Sequence, residues 1–151
     1  MKKILFVCHG NICRSTMAEM VLKHLVRNVG KEKDFYIDSA ATSTEEIGNG
    51  VHRGTRMKLS EMGIKCENHR ARQITMKDYS DFDLLIGMDE ENIYNMKRKW
   101  NGDPDNKVKS LLSYAGFNRA IADPRYTGNF DEAFSDVMQG CTALLEELMA
   151  K

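Results

Sequence analysis

The stretch ILFVCHGNICRST, residues 4–16, sets an apolar run directly against a turn that holds a cysteine, a glycine and an arginine. Ile4-Leu5-Phe6-Val7 reads as a buried strand, because a short continuous apolar run fits a strand covered on both faces. The segment after Ser15 reads as a helix. Cys8 and Arg14 therefore enclose five residues between a strand and a helix start, and two of these, Gly10 and Asn11, tolerate positive φ. A group seated in such a turn faces the unpaired N–H groups of the helix amino end, which favour an anion.

Working outward, residues 4–7, 35–37, 83–86 and 107–112 read as short strands with helices between them. The first helix is expected from residue 15 or 16 to 29, opened by a Thr16-Met17-Ala18-Glu19 capping box and stopped at Gly30. Asp89-Glu90-Glu91 opens another helix and Lys97-Arg98-Lys99 closes it, an order that suits the helix dipole. Phe130, Phe134, Val137, Met138, Cys141, Leu144, Leu145 and Leu148 recur at helical spacing behind Asn129, a fitting N-cap with Glu132 at the third helical position. This alternation implies a single-domain α/β fold over residues 1–151, a doubly wound four-stranded parallel sheet with helices on both faces. Ligands of such sheets bind beyond the carboxyl ends of the strands, where Cys8 lies.

Composition excludes several classes. Lys+Arg and Asp+Glu stand at 22 each among 151 residues, so no overall field points to nucleic acid or an anionic membrane. The apolar runs are too short to span a bilayer. Met1-Lys2-Lys3 leads into a strand-like run with no cleavage site, and Cys8, Cys13, Cys66 and Cys141 have no disulfide-framework spacing. A reducing cytoplasm is the expected setting.

The turn itself carries chemistry. A free thiol has a pKa near ~8.5, and both a helix amino terminus and a guanidinium favour the charged, nucleophilic form. Arg14 offers a planar fork for two oxygens of a phosphate, and the loop amides can turn inward as a nest for the others. Ser15 can donate to the sulfur. A lone buried Cys8 would be inert, but Cys-x5-Arg-Ser between strand and helix is a far narrower pattern. A zinc site assembled from Cys66, Glu67, His69, Cys8 and Cys13 matches no common module and would sit in a cationic environment. Cys8 and His9 are too close in sequence for a protease pair. Cys141 reads as core.

VCHGNICRSTMAE, residues 7–19, resembles the phosphate-binding loop of the low-molecular-weight protein tyrosine phosphatases. The likeness extends through DSAATSTEEIGN (38–49), HRARQITMKDYSDFDLLIGMDEENI (69–93) and ADPRYTGNFDEAF (122–134). The resemblance implies hydrolysis of phosphotyrosine monoesters without metal or other cofactor. It implies Cys8 as nucleophile, Arg14 as phosphate clamp and Asp123, before Pro124, as general acid and then base. His9, Gly10, Asn11, Ile12, Cys13, Arg14 and Ser15 would form the phosphate loop. Asn11, Ser15, Ser39 and His69 would brace it, with Asn11 in a left-handed conformation. Glu45 and Arg125 stand where the family often has aromatic walls, with Tyr126 the remaining ring, and Thr16 stands where proline is usual. Glu45 and Arg125 are expected to rim the pocket from opposite sides, close enough to pair. The resemblance further implies that Cys13 closes a reversible disulfide with Cys8 under peroxide.

The implied partners are a phosphotyrosine protein or peptide, with inorganic phosphate or vanadate as inhibitors, no nucleic acid and no membrane. The chain would be a monomer or weak dimer. Rival readings are an arsenate reductase, a phosphocarrier, a binding module with a dead loop and a protein arginine phosphatase. The reductase relay needs further cysteines, and residues 83–88 and the helix after them contain none. The phosphocarrier needs neither Arg14 nor a distant acid. Keeping Cys8, Arg14 and Asp123 together argues against the dead loop. Ile12, where the arginine phosphatases carry threonine, is expected to offer a phenyl ring an apolar contact.

Overall fold

In the computed structural model, which describes residues 1–150, four strands form one wholly parallel sheet. They are β1 (Lys2–Cys8), β2 (Phe35–Ala41), β3 (Leu84–Gly87) and β4 (Val108–Ser110), in the order β2-β1-β3-β4. Strand β1 is one of the two inner strands, and its run is apolar toward both faces. Ile4 and Phe6 point into a core shared with α1 (Arg14–Asn28) and α6 (Phe130–Met149), through Met17, Val21, Val137 and Leu144. Leu5 and Val7 point the other way, onto Phe82, Met96 and Trp100 around α3 (Met76–Asp81) and α4 (Glu90–Lys99). Residues Ile4 to Val7 are fully buried, at about 1.5–3 kcal/mol for each large side chain.

The strand order reverses direction between β1 and β3, and a crevice forms beyond their carboxyl ends. The turn after Cys8 sits there. Two more helices complete the fold, α2 (Arg53–Glu61), packed on α1 and α6, and the four-residue α5 (Pro124–Thr127). Gly54 lets α2 approach closely, since a Cβ there would lie 2.2 Å from Cζ of Phe130. That ring stacks on His52 with centroids 5.5 Å apart.

Three local expectations need correction. The strand expected over residues 107–112 ends at Ser110, and a 3-10 turn covers Leu111–Ala115. Leu111 and Leu112 both enter the same core, which strand alternation forbids and a tight turn permits. The first helix begins at Arg14, and no capping box forms at Thr16. Thr16 lies within the helix, and its Oγ1 donates back to the Cys13 carbonyl at 2.9 Å. Glu19 turns inward to Ser39 and Lys23. At the far end the helix stops at Asn28, and Gly30 takes a φ of 71°. The expected N-cap at Asn129 does form, accepting from Glu132 N at 2.9 Å, and Asp89 caps α4, accepting from Asn92 N at 2.7 Å.

Candidate active site

Strand β1 ends on Cys8, whose sulfur faces the turn it introduces. Asn11 N donates to Cys8 Sγ at 3.3 Å, and Ser15 Oγ lies 3.0 Å from it. Asn11 Nδ2 donates to the same Ser15 oxygen at 2.8 Å, so the Ser15 hydroxyl proton is free to point at the sulfur. Asn11 takes the left-handed conformation, φ 59°, which curls the loop. Gly10 does not. Its missing Cβ matters for space instead, because Arg125 Nη1 and Glu46 Cγ would stand 3.2 and 3.3 Å from it. The N–H groups of Gly10, Ile12, Cys13 and Arg14 donate to no acceptor among the described residues. A curled row of free amides at a helix start is an anion nest.

Arg14 opens α1 and is 4% exposed. Its Nη1 donates to Asp89 Oδ2 at 2.7 Å and to the Ile121 carbonyl at 2.8 Å. Among the described residues its Nε is buried without a partner, and Nη2 has only Asp123 Oδ2 at 3.6 Å. One edge of the fork is thus tied to the fold, and the other is left for a ligand. Burial opposes the guanidinium charge, but Cys8, Asp89 and Asp123 outweigh it and hold the Arg14 pKa above its ordinary value.

Asp123 comes from the loop between the 3-10 turn and α6. It adopts extended backbone before Pro124, and its Oδ1 accepts from Arg125 N at 3.0 Å as the N-cap of α5. The other oxygen faces Arg14. Cys8, Arg14 and Asp123 thus converge from residues far apart in sequence. Arg14 and Asp123 border a cleft of about 440 Å³ whose lining also includes His9, Asp89, Ile121 and Tyr126.

Behind the loop runs a chain of hydrogen bonds. His69 Nε2 donates to Asn11 Oδ1 at 2.8 Å, since that oxygen can only accept. Arg72 N donates to the same oxygen at 3.3 Å. Ser39 Oγ lies 3.3 Å from His69 Nε2 and donates to Glu19 Oε1 at 2.5 Å. His69 Nδ1 in turn faces Glu19 Oε1 at 3.5 Å and Asp38 Oδ1 at 3.9 Å. Lys23 answers Glu19 at 2.6 Å and Arg72 answers Asp38 at 3.3 Å, so the cluster's charges are met from within the protein. Sequence reasoning named Asn11, Ser15, Ser39 and His69 but missed Glu19, Asp38, Arg72 and the second role of Asp89.

Other site expectations come out differently. Glu45 does not pair with Arg125. Its Oε2 meets His9 Nε2 at 2.9 Å, while the Arg125 guanidinium sits 5.7 Å from the Tyr126 ring centroid. Ile12 offers the cleft no apolar wall, because its side chain packs with Cys13, Ala71 and Phe130 under the loop. Cys13 is buried too, and burial, joined by Asp123 and Cys8, pushes its thiol pKa up to about 12. All four cysteines are free thiols, and Cys141 is core.

The description "Low molecular weight phosphotyrosine protein phosphatase" belongs to the family model that matches residues 3–151. The chain is 39% identical to the low molecular weight protein-tyrosine-phosphatase YfkJ of Bacillus subtilis over 150 residues, covering 98% of this chain and 96% of the relative. It is 41% identical to the low molecular weight phosphotyrosine protein phosphatase of Gallus gallus over 151 residues, covering 97% and 95%. The crystal structure of YfkJ superposes with a TM-score of 0.96 at 38% identity, over 99% of this chain and 96% of that one. A structure of a Drosophila arginine phosphatase superposes at 0.87 with 33% identity, over 98% of each chain. The parallel sheet, the cysteine–arginine loop at its switch point and these matches lead to one statement: the chain belongs to the low molecular weight phosphotyrosine protein phosphatase family.

Proposed function

We propose that residues 1–151 act as one phosphatase domain in which Cys8, Arg14 and Asp123 hydrolyse phosphotyrosine in phosphoproteins. The half-free fork of Arg14 carries this reading. A buried guanidinium whose Nε has no partner, beside a curled row of free amides, is a site built for a tetrahedral oxyanion. Cys8 Sγ attacks phosphorus in line, the P–O bond to the tyrosyl oxygen breaks, and Asp123 gives that oxygen its proton. The product is a cysteinyl-phosphate. Asp123 then takes a proton from water, whose oxygen attacks phosphorus and releases phosphate and the Cys8 sulfur. Arg14 and the amides hold the equatorial oxygens through both steps, so positioning and electrostatics supply most of the rate. Ser15 supports the sulfur as it leaves.

No metal or cofactor enters this scheme. Phosphate and vanadate compete for the loop as product and transition-state mimics. The free thiols suit a reducing cytoplasm, no helix among the described residues is long and apolar enough to cross a membrane, and the working unit is a monomer or weak dimer. Asp123→Ala tests the acid role. It should cost about 10²–10⁴-fold with phenyl phosphate and far less with an activated nitrophenyl ester, because only the poor leaving group needs the proton. A uniform loss would remove Asp123 from that role. Cys8→Ser should abolish turnover and still bind vanadate, whereas Arg14→Ala should lose both. Parallel assays on phosphotyrosine peptide, phosphoarginine and arsenate separate this reading from its rivals, since Ile12 does not.

A further inference from the structure

A second cleft of about 510 Å³ adjoins the catalytic one and shares His9 with it. Its walls include Thr42, Ser43, Gln73, Arg98 and Lys99, and no carboxylate lines it. The catalytic cleft, by contrast, carries Asp89, Glu91 and Asp123. Helix α4 explains the contrast, because it presents acids in its first turn to one cleft and bases in its last turn to the other. The carboxyl end of a helix is also where exposed bases sit at least cost. Arg98 and Lys99 are exposed and pair with no carboxylate among the described residues.

The floor of this cleft is rigidly joined to the nucleophile. Thr42 N donates to the Cys8 carbonyl at 3.0 Å and Ser43 N to the His9 carbonyl at 3.1 Å. Ser43 Oγ adds a bond to that same carbonyl at 2.9 Å. Thr42 Oγ1 is buried with no hydrogen-bond partner among the described residues, an unmet donor on the wall of this cleft.

We infer that this cleft is a substrate subsite that receives an anionic group carried by the phosphopeptide beside its phosphotyrosine. The inference rests on the function proposed above and adds to it which peptides are chosen. The anion is a carboxylate or a second phosphate, and both suit two unpaired cations beside the unmet Thr42 hydroxyl. Acidic flanks on the side of Glu90 and Glu91 would instead meet like charge. Selection therefore depends on which side of the phosphotyrosine bears the anion.

The test measures kcat/KM at low salt for phosphotyrosine peptides with glutamates before the phosphotyrosine, glutamates after it, or alanines on both sides. One glutamate arrangement should exceed the alanine peptide about fivefold, through KM, and the advantage should fade as salt is raised. Arg98→Gln with Lys99→Gln keeps helix-forming side chains and should bring that ratio close to one. Arg98→Glu with Lys99→Glu should turn the preference toward a lysine-flanked peptide. A second phosphotyrosine at the favoured position separates the two anions: selection for it alone assigns the cleft to phosphate, and selection for both assigns it to either group. Equal ratios in parent and Gln variant overturn the subsite. The alanine-flanked peptide keeps the two readings apart, because failure of the parent to hydrolyse it counts against the proposed function and not against the subsite.

Discussion

Arg14 Nη1 and Asp89 Oδ2 stand 2.7 Å apart, and this contact decides which edge of the guanidinium faces the cleft. Asp89 lies 75 residues away and caps α4 with its other oxygen. It fixes Arg14 and the start of α4 together, so the orientation of the proposed phosphate clamp is set by α4.

Asp89→Asn tests that arrangement while keeping an N-cap side chain. The charge-assisted bond to Arg14 becomes at best a neutral one, a loss of about 1–1.5 kcal/mol. Vanadate affinity and kcat/KM should each fall about tenfold, with the melting temperature little changed. Unaltered vanadate inhibition would show that Arg14 keeps its orientation without Asp89.

Cys13 gives a pH-dependent expectation. With its thiol pKa raised to about 12 by burial, Cys13 is almost wholly protonated at pH 7 and attacks an oxidised Cys8 slowly. Its thiolate fraction grows about tenfold per pH unit below that pKa. After brief peroxide treatment and thiol rescue, the parent and Cys13→Ser should recover alike at pH 7. At pH 9 the parent should recover more. Equal recovery at both values would leave Cys13 without a protective role, and a parent advantage already at pH 7 would mean that the loop opens to release the burial.

The contiguous part of the site was legible in the sequence because its geometry is local. A strand, five residues and a helix start suffice to place Cys8, the amides and Arg14 relative to one another. Glu19 was misread as a cap because an acid three residues after Thr16 fits a capping box equally well. Only the arrival of Ser39 and His69 from other elements makes it a buried anchor. Ile12 was misplaced for the opposite reason. The left-handed turn at Asn11 decides whether the next side chain faces the cleft or the core, and it sends Ile12 onto Ala71 and Phe130. The short helices α2 and α3 were not singled out, since α2 buries only Thr55 and Leu59 and α3 only Asp78.

Asp103 governs how the β4 edge responds to acid. Its Oδ1 accepts from Tyr79 OH at 2.6 Å and Lys107 N at 2.8 Å, and Oδ2 accepts from Val108 N at 3.0 Å. Partial burial opposes its charge, but these bonds outweigh it and hold the Asp103 pKa below the ordinary value. A depressed carboxylate adds stability that is present above its unfolded pKa of about 3.9 and disappears as pH falls through the folded one. Asp103→Asn should therefore lower the unfolding free energy measured in urea at pH 6 by about 1–2 kcal/mol, and cost progressively less below about pH 4. A difference independent of pH would mean that the side chain's shape matters and its charge does not.

Glu45 and Arg125 enter two separate contacts rather than one ion pair, each with a residue that lines the catalytic cleft. On one side His9 Nε2 meets Glu45 Oε2 at 2.9 Å, and on the other Arg125 lies over the Tyr126 ring and across Gly10. Neither side offers a flat ring held against the phosphoryl group, and Tyr126 is 78% exposed. A phosphotyrosine ring therefore gains little from stacking here, where an ordered aromatic pair is worth about 0.5–1.5 kcal/mol. Arg125→Tyr should lower KM for phenyl phosphate about two- to tenfold and leave kcat for the activated nitrophenyl ester nearly unchanged, the mark of ground-state binding. Glu45→Tyr should act in the same direction but less, since it also removes the partner that holds His9 in place. An exposed pair of this kind is worth about 0.2–1 kcal/mol, enough to offset part of a new ring contact. Steady-state kinetics on both esters decide the matter. An unchanged KM in both variants would mean that these positions do not touch the substrate ring, and substrate choice would then rest on the peptide flanks alone.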